Sequence, residues 1–343
     1  MSSSDDLAYS VDVSQATDEG NGDIGYGPLT FYRNKNPNGI SPTLGSDAGG
    51  AYLRLAVAKG AYGTATDPQD DANQHDRCEL RDGKLSLGTA VAYSFEMRVE
   101  SGFPAVDARF VCAQIKAPYY DANGGSPLIA LRIEHGRYFA TIEHLYEPKD
   151  APFRDGSEQS RYLTRYVAGT GCKGAARAFD HHVFGNSLAD FKELQVRAML
   201  ATDRDGLPPY LDDQFLWCSS GVQVTQGIPL PDDIHDWRRF TMRLAATAKK
   251  DEDGVVELLV GEPGAAADTL VASATGEFGH VGYDDPAINT GPPDRAHQYF
   301  KIGPYRDKLL IWGDAAAAIY VRNIRREAWG EGEAKRSGGA YGA

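Results

Sequence analysis

Three short stretches of this chain carry side chains that a protein core does not need. The first is Tyr299-Phe300-Lys301-Ile302-Gly303-Pro304-Tyr305. At the two-residue period of a strand, Phe300 and Ile302 point to one face, and Tyr299, Lys301, Gly303 and Tyr305 to the other. The second face offers two phenols, a cation and a glycine that leaves room for something to lie across it. The other stretches are Arg77-Cys78-Glu79-Leu80-Arg81, with Arg77, Glu79 and Arg81 on one face, and Gln114-Ile115-Lys116, with Gln114 and Lys116 on one face. Neighbouring one another on a concave sheet, they would form a site of several cations, an amide and phenols.

Such a set suits removal of a proton next to a carboxylate, as in a uronic-acid polymer. The carbanion formed there sits beside an existing negative charge. Arg77, Lys116 and the amide of Gln114 could neutralise and hydrogen-bond that carboxylate, stabilising an enolate-like intermediate. Cations near a tyrosine lower its pKa. Tyr305 could then take the proton, donate one to the departing glycosidic oxygen, or do both. This is β-elimination, and it needs neither metal nor added water. Lys301, Arg81, Glu79 and Tyr299 would line the groove as substrate-binding residues.

Two other classes compete. Hydrolysis needs two carboxylates flanking the bond, and the acidic residues Asp251, Asp253 and Glu257 fall beside Gly254 and read as a solvated hairpin. A non-catalytic, lectin-like carbohydrate-binding sandwich would use the same fold and the same aromatic and cationic groove. The chemical set of Tyr305, Arg77 and Gln114 favours elimination over both.

The elements that must position these residues are strands. The 343 residues include 38 glycines and 18 prolines, with 42% apolar and 10% aromatic residues, and long helical patterns are scarce. That composition suits a packed core of many strands joined by turns. The clearest strand is Val91 to Val99, with Val91, Tyr93, Phe95, Met97 and Val99 inward and Ala92, Ser94, Glu96 and Arg98 outward. Others are read at Tyr52 to Ala58, Arg109 to Lys116, and Leu128 to Glu134 with Tyr138 to His144, a hairpin around His135. More follow at Leu194 to Leu200, Gln214 to Val224, Trp237 to Leu244, Val255 to Val260, and Ile319 to Ile324. Pro304 within its strand predicts an edge or a bulge.

Residues 1–48 read as an irregular lead-in with at most one short edge strand. Residues 146–190 break the rhythm and read as a long surface insertion with a short helix around Gly174 to Phe179. Residues 330–343 read as a flexible tail. The expected fold class is all-β, a concanavalin-like jelly-roll sandwich of two antiparallel sheets with a concave groove, one domain over 49–329.

The net charge of −13 argues against nucleic acid as a partner, and an acidic substrate would need cations gathered locally in a cleft. No apolar run reaches the length of a membrane span. The N-terminus Met1-Ser2-Ser3-Ser4-Asp5-Asp6 lacks the pattern of a secretory signal. The reading is of a monomer without a membrane partner, secreted or periplasmic after loss of a signal, or else intracellular. Cys78, Cys112, Cys172 and Cys218 fit no metal-ligand spacing and leave free thiols or up to two disulfides open. His181 and His182 read as loop residues without a third ligand. No cofactor is required, although sandwich loops could hold a structural calcium ion.

Arg77-Cys78-Glu79-Leu80-Arg81, Gln114-Ile115-Lys116 and Tyr299 to Tyr305 occur in the order seen in the jelly-roll polysaccharide lyases. That group includes alginate lyases, glucuronan lyases and heparin-lyase-I-like enzymes, and the resemblance covers about 50 to 143 and 237 to 326. It implies eliminative cleavage of an acidic polysaccharide. It gives Arg77 and Gln114 the substrate carboxylate, Tyr305 the acid or acid-and-base role, and Lys301 a subsite. The chain departs from the pattern at Lys116, where the family often has a histidine. Either Tyr305 performs both proton transfers or another histidine moves in. His75, on the face of Arg77, is the first candidate, ahead of His135 and His144.

Overall fold

The computed structural model describes residues 7–20, 22–32, 40–58, 76–104, 110–116, 127–134, 136–146, 163–165, 194–202, 217–219, 222–246, 253–276, 297–306 and 315–330. For 143–146, 163–165, 194–202, 217–219, 222, 223 and 226 only the backbone is described.

The strands in chain order begin with β1 (Tyr9–Ser10), β2 (Thr17–Gly20), β3 (Asp23–Tyr26), β4 (Leu29–Phe31), β5 (Thr43–Asp47) and β6 (Gly50–Val57). Next come β7 (Asp76–Arg77), β8 (Leu80–Arg81), β9 (Leu85–Ser86), β10 (Val91–Val99), β11 (Phe110–Lys116), β12 (Pro127–Glu134) and β13 (Arg137–Tyr146). Then follow β14 (Leu163–Arg165), β15 (Leu194–Thr202), β16 (Trp217–Ser219), β17 (Val222–Gln226) and β18 (Arg238–Ala245). The last are β19 (Gly254–Gly261), β20 (Thr269–Gly276), β21 (His297–Arg306) and β22 (Ala317–Ala328).

They form the expected all-β jelly-roll sandwich of two antiparallel sheets. One sheet runs β17-β20-β19-β18-β10-β22-β6-β5, with β1 on β22. The other runs β15-β13-β12-β11-β21-β8-β4-β3-β2, with β7 and β9 also on β21. β14 and β16 pair separately.

Alternation drives this arrangement. Val91, Tyr93, Phe95, Met97 and Val99 of β10 are fully buried between the sheets. Tyr93 stacks on Phe300 of the opposite sheet with ring centroids 4.4 Å apart. Tyr138 meets Phe240 edge-on at 5.2 Å. Removing this apolar area from water is the main term holding the layers together. Several polar groups that enter the interior are held by ion pairs and hydrogen bonds. Tyr93 Oη and Arg326 Nη1 both donate to Asp82 Oδ2 at 2.8 Å, and Arg306 pairs with Asp76 at 2.6 Å.

Several expectations need correction. The described residues of the lead-in 1–48 are not irregular, since they hold β1 to β5, which extend both sheets. These strands have two to five residues each, too short for a period to show, yet Leu29 and Phe31 of β4 alternate into the core. β20 was not foreseen, and the expected strand over Gln214 to Val224 is two strands, β16 and β17. Glu257 does not sit in a solvated hairpin. It lies mid-strand in β19, is 3% exposed, and pairs with Arg243 at 2.9 Å. Cys78 and Cys112 are buried free thiols. The helix expected over 174–179, His181 and His182 lie outside the described residues.

Candidate active site

β21 runs through the middle of the larger sheet, with β11 on one side and β7, β8 and β9 on the other. Register then sets the neighbours. Lys301 pairs with Gln114 on one side and Arg81 on the other, so these three form one row across the sheet. Lys116 stands opposite Tyr299, and Tyr305 opposite Arg77. The three stretches that carried chemistry in the sequence are therefore adjacent strands. Tyr299, Lys301 and Tyr305 keep some exposure while Phe300 and Ile302 are fully buried, which is the expected split of faces.

Between Lys301 and Tyr305 the strand bulges. Ala113 pairs with Ile302 and Val111 with Tyr305, so Cys112 alone faces Gly303 and Pro304. A bulge tolerates the proline, whose missing N–H costs no ladder bond there. Pro304 O still accepts from Cys78 N at 2.9 Å. Gly303 has φ +134, and a Cβ there would collide with Cys78 O and come within 2.9 Å of Glu79 Cα. The room left by Gly303 is thus filled by the backbone of the neighbouring strand, not held open for a ligand. That close approach brings Arg77 and Glu79 up to β21.

Glu79 also takes a different place from the one expected. It is 5% exposed, and its two oxygens are engaged by Gln114 Nε2 at 2.5 Å and Lys301 Nζ at 2.7 Å. It orients those two groups instead of lining the groove. Burial alone would raise its pKa, but Lys301, Arg77 and Lys116 together hold the carboxyl below the usual range. Burial dominates at Lys301, pulling its ammonium below the ordinary lysine range against the pull of Glu79.

The Arg77 guanidinium lies over the Tyr305 ring, 5.2 Å from its centroid. Its buried Nε has no hydrogen-bond partner among the described residues. Further along, Arg81 is 4.1 Å from the Tyr299 ring and 6.0 Å from that of Tyr32. Burial pushes the Tyr299 phenol up, against the Arg81 cation.

Of the residues singled out by sequence, Arg77, Arg81, Glu79, Gln114, Lys116, Tyr299, Lys301 and Tyr305 are brought together on this sheet. His75 and His135 lie outside the described residues, as does the side chain of His144. Three residues went unnoticed. His297 stacks on Tyr299 with centroids 5.9 Å apart, and carrying the two-residue period one step back from Tyr299 would have found it. Eight residues of strand at roughly 3.3 Å each put it ~25 Å from Tyr305, at the other end of β21. Arg132, fully buried and donating from Nε to Thr141 Oγ1 at 2.8 Å, is paired with Val111, itself the partner of Tyr305. Tyr32 had no sequence signal.

No family model and no curated protein matches the chain. Among solved structures it is similar to an endo-β-1,4-glucuronan lyase from the fungus Trichoderma reesei, at 10% identity and TM-score 0.35 over 85% of this chain and 89% of that one. It is similar to an exolytic alginate lyase from Zobellia galactanivorans, at 10% identity and TM-score 0.42 over 84% and 88%. It is also similar to an alginate lyase from Aplysia kurodai, at 12% identity and TM-score 0.40 over 84% and 87%. All three are polysaccharide lyases.

Proposed function

We propose that this protein is a polysaccharide lyase that cleaves a uronic-acid-containing polymer by β-elimination. The observation that carries the reading is the row of groups on adjacent strands: Arg77 over Tyr305, with Gln114 and Lys301 both held by the buried Glu79. An amide nitrogen has two N–H groups and Glu79 takes one, leaving the second for a substrate carboxylate. Arg77 offers that carboxylate a forked guanidinium. With the carboxylate neutralised, the proton on the adjacent carbon leaves as H⁺ to a base. The electron pair forms a C=C bond, the glycosidic C–O bond breaks, and the departing oxygen takes a proton. Tyr305 supplies one or both transfers.

The groove also answers the tension set by an acidic chain. Its −13 charge would repel a polyanion, but Arg77, Arg81, Lys116 and Lys301 gather positive charge around Glu79 on one face of the sheet. A non-catalytic binding module draws on one observation, Lys116 in place of the family histidine.

Ultraviolet absorbance of the unsaturated uronate product separates these readings, measured on alginate, glucuronan and heparin-type polymers with wild type and Tyr305→Phe. A rise on one polymer that disappears in the variant is the expected result. No rise with retained polymer binding would move the assignment to the binding module.

A further inference from the structure

We propose that the outer face of the smaller sheet holds a second carbohydrate site, which takes an acidic sugar unit of the polymer; its choice of ligand rests on the lyase reading above. The site is a trough of about 620 Å³, within the range of small-molecule pockets. It lies on the opposite side of the sandwich from Tyr305.

The trough follows from side-chain sizes on three paired strands. Across β18, β10 and β22 the rows are Arg243–Ala92–Glu327, Thr241–Ser94–Arg325 and Arg239–Glu96–Arg322. The middle strand contributes Ala92 and Ser94 to the floor, while longer side chains rise on both sides. The turn after β19 closes over one side and is tied down. Arg239 Nε and Thr241 Oγ1 donate to Asp268 at 2.6 Å each, and Arg239 Nη1 donates to Ala265 O at 2.7 Å. Opposite, β22 bulges, with Asn323 and Ile324 facing Phe95 alone. Asn323 has φ 52 and lines the trough. Bulges re-aim side chains in this way beside binding sites.

The charges inside are unevenly matched. Asp268 is taken by Arg239, and Glu96 by Arg322 at 2.7 Å. Arg243 gives one nitrogen to Glu257, and its buried Nε has no hydrogen-bond partner among the described residues. Arg325 is exposed, with no ion-pair partner among the described residues, and Glu327 is exposed beside it. A merely solvated sheet face has no need of a turn tied down over a trough. Hydroxyls from Ser94 and Thr241 and the Asn323 amide suit sugar hydroxyls, and Arg325 with Arg243 suits a carboxylate. Polymer held here would raise the local concentration of chain at the groove.

Calorimetric titration of the Tyr305→Phe chain with alginate and glucuronan trisaccharides tests this, with cellotriose as the neutral control. The expected result is two acidic trisaccharides per chain. Arg325→Ala, an exposed change, should weaken one of them about ten-fold, the loss of one charged hydrogen bond. Ser94→Trp, which fills the floor, should abolish the same one, and Arg77→Ala should remove the other. A single binding event untouched by Arg325→Ala and Ser94→Trp would overturn the site, and equal binding of cellotriose would overturn its acidic preference. Binding that Ser94→Trp abolishes, where the wild-type chain gives no unsaturated product on any of the polymers, would keep this site and reject the lyase reading.

Discussion

Lys301 Nζ donates to Glu79 Oε2 across 2.7 Å, with side-chain exposures of 13% and 4%. The two residues are 222 positions apart in sequence, and their contact is what joins the Arg77 stretch to the central strand at the level of Gln114. A charge pair this sheltered is costly to assemble and more costly to break. Its value to the site is geometric, because one carboxylate fixes both the ammonium and the amide that would meet a substrate carboxylate.

Replacing Glu79 with Gln leaves Lys301 charged without a counterion, which should cost about 3 kcal/mol at neutral pH. The pH dependence has a definite sign. Glu79 titrates below the ordinary carboxylate range when folded, so its contribution is present above that range and is lost as pH falls through the depressed value. Denaturant titrations of wild type should therefore weaken on the acid side more steeply than those of Glu79→Gln. Equal slopes would show that the pair is not coupled to folding.

Gly303→Ala should be among the most damaging single-methyl additions in the chain. The backbone there is at φ +134, and the new Cβ would meet backbone atoms of Cys78 and Glu79, which cannot swing aside. The left-handed strain alone is on the order of 1–3 kcal/mol. Separation of β21 from β7 and β8 should also abolish product formation, because Arg77 and Tyr305 depend on that spacing. A melting point and an activity both near wild type would refute the close approach.

This glycine also shows how far sequence could reach. Alternation over Val91 to Val99 runs long enough to give strand, face and core together, whereas the faces of the three polar stretches are legible but their adjacency is set by the register of β21 with β11, β7 and β8. Gly303 announced a missing side chain, but only the structure shows that another strand fills the gap. Glu79 was placed on the right face, yet its burial depends on Gln114 and Lys301, residues 35 and 222 positions away. Strands of two to five residues, such as β1 to β5, are too short to show a period in the sequence. Ala92 and Ser94 read only as outward residues, and nothing local said that a turn from β19 would cover them.

Arg77→Lys should behave nearly as badly as Arg77→Ala. A lysine keeps the charge but loses the fork that can hold a carboxylate with two bonds and the planar face that lies over Tyr305. Each variant should lower kcat/KM by at least about ten-fold, the scale of one charge-assisted hydrogen bond, while circular dichroism stays unchanged. Full activity in Arg77→Lys would mean that only a point charge is needed there.

Lys116→His probes the departure from the resembling family. Lys116 stands opposite Tyr299 and helps hold Glu79 ionised, so a histidine would stand near the same carboxylate. If Tyr305 alone moves protons, the variant should keep the wild-type pH–rate shape and lose some affinity with the cation. If the position serves as a base, the variant should gain an acid limb near the ordinary histidine value of about 6.5. Combining it with Tyr305→Phe separates the cases. Residual activity in the double variant, absent from Tyr305→Phe alone, would show that the 116 position can take the proton, and an inactive double variant would leave both transfers with Tyr305.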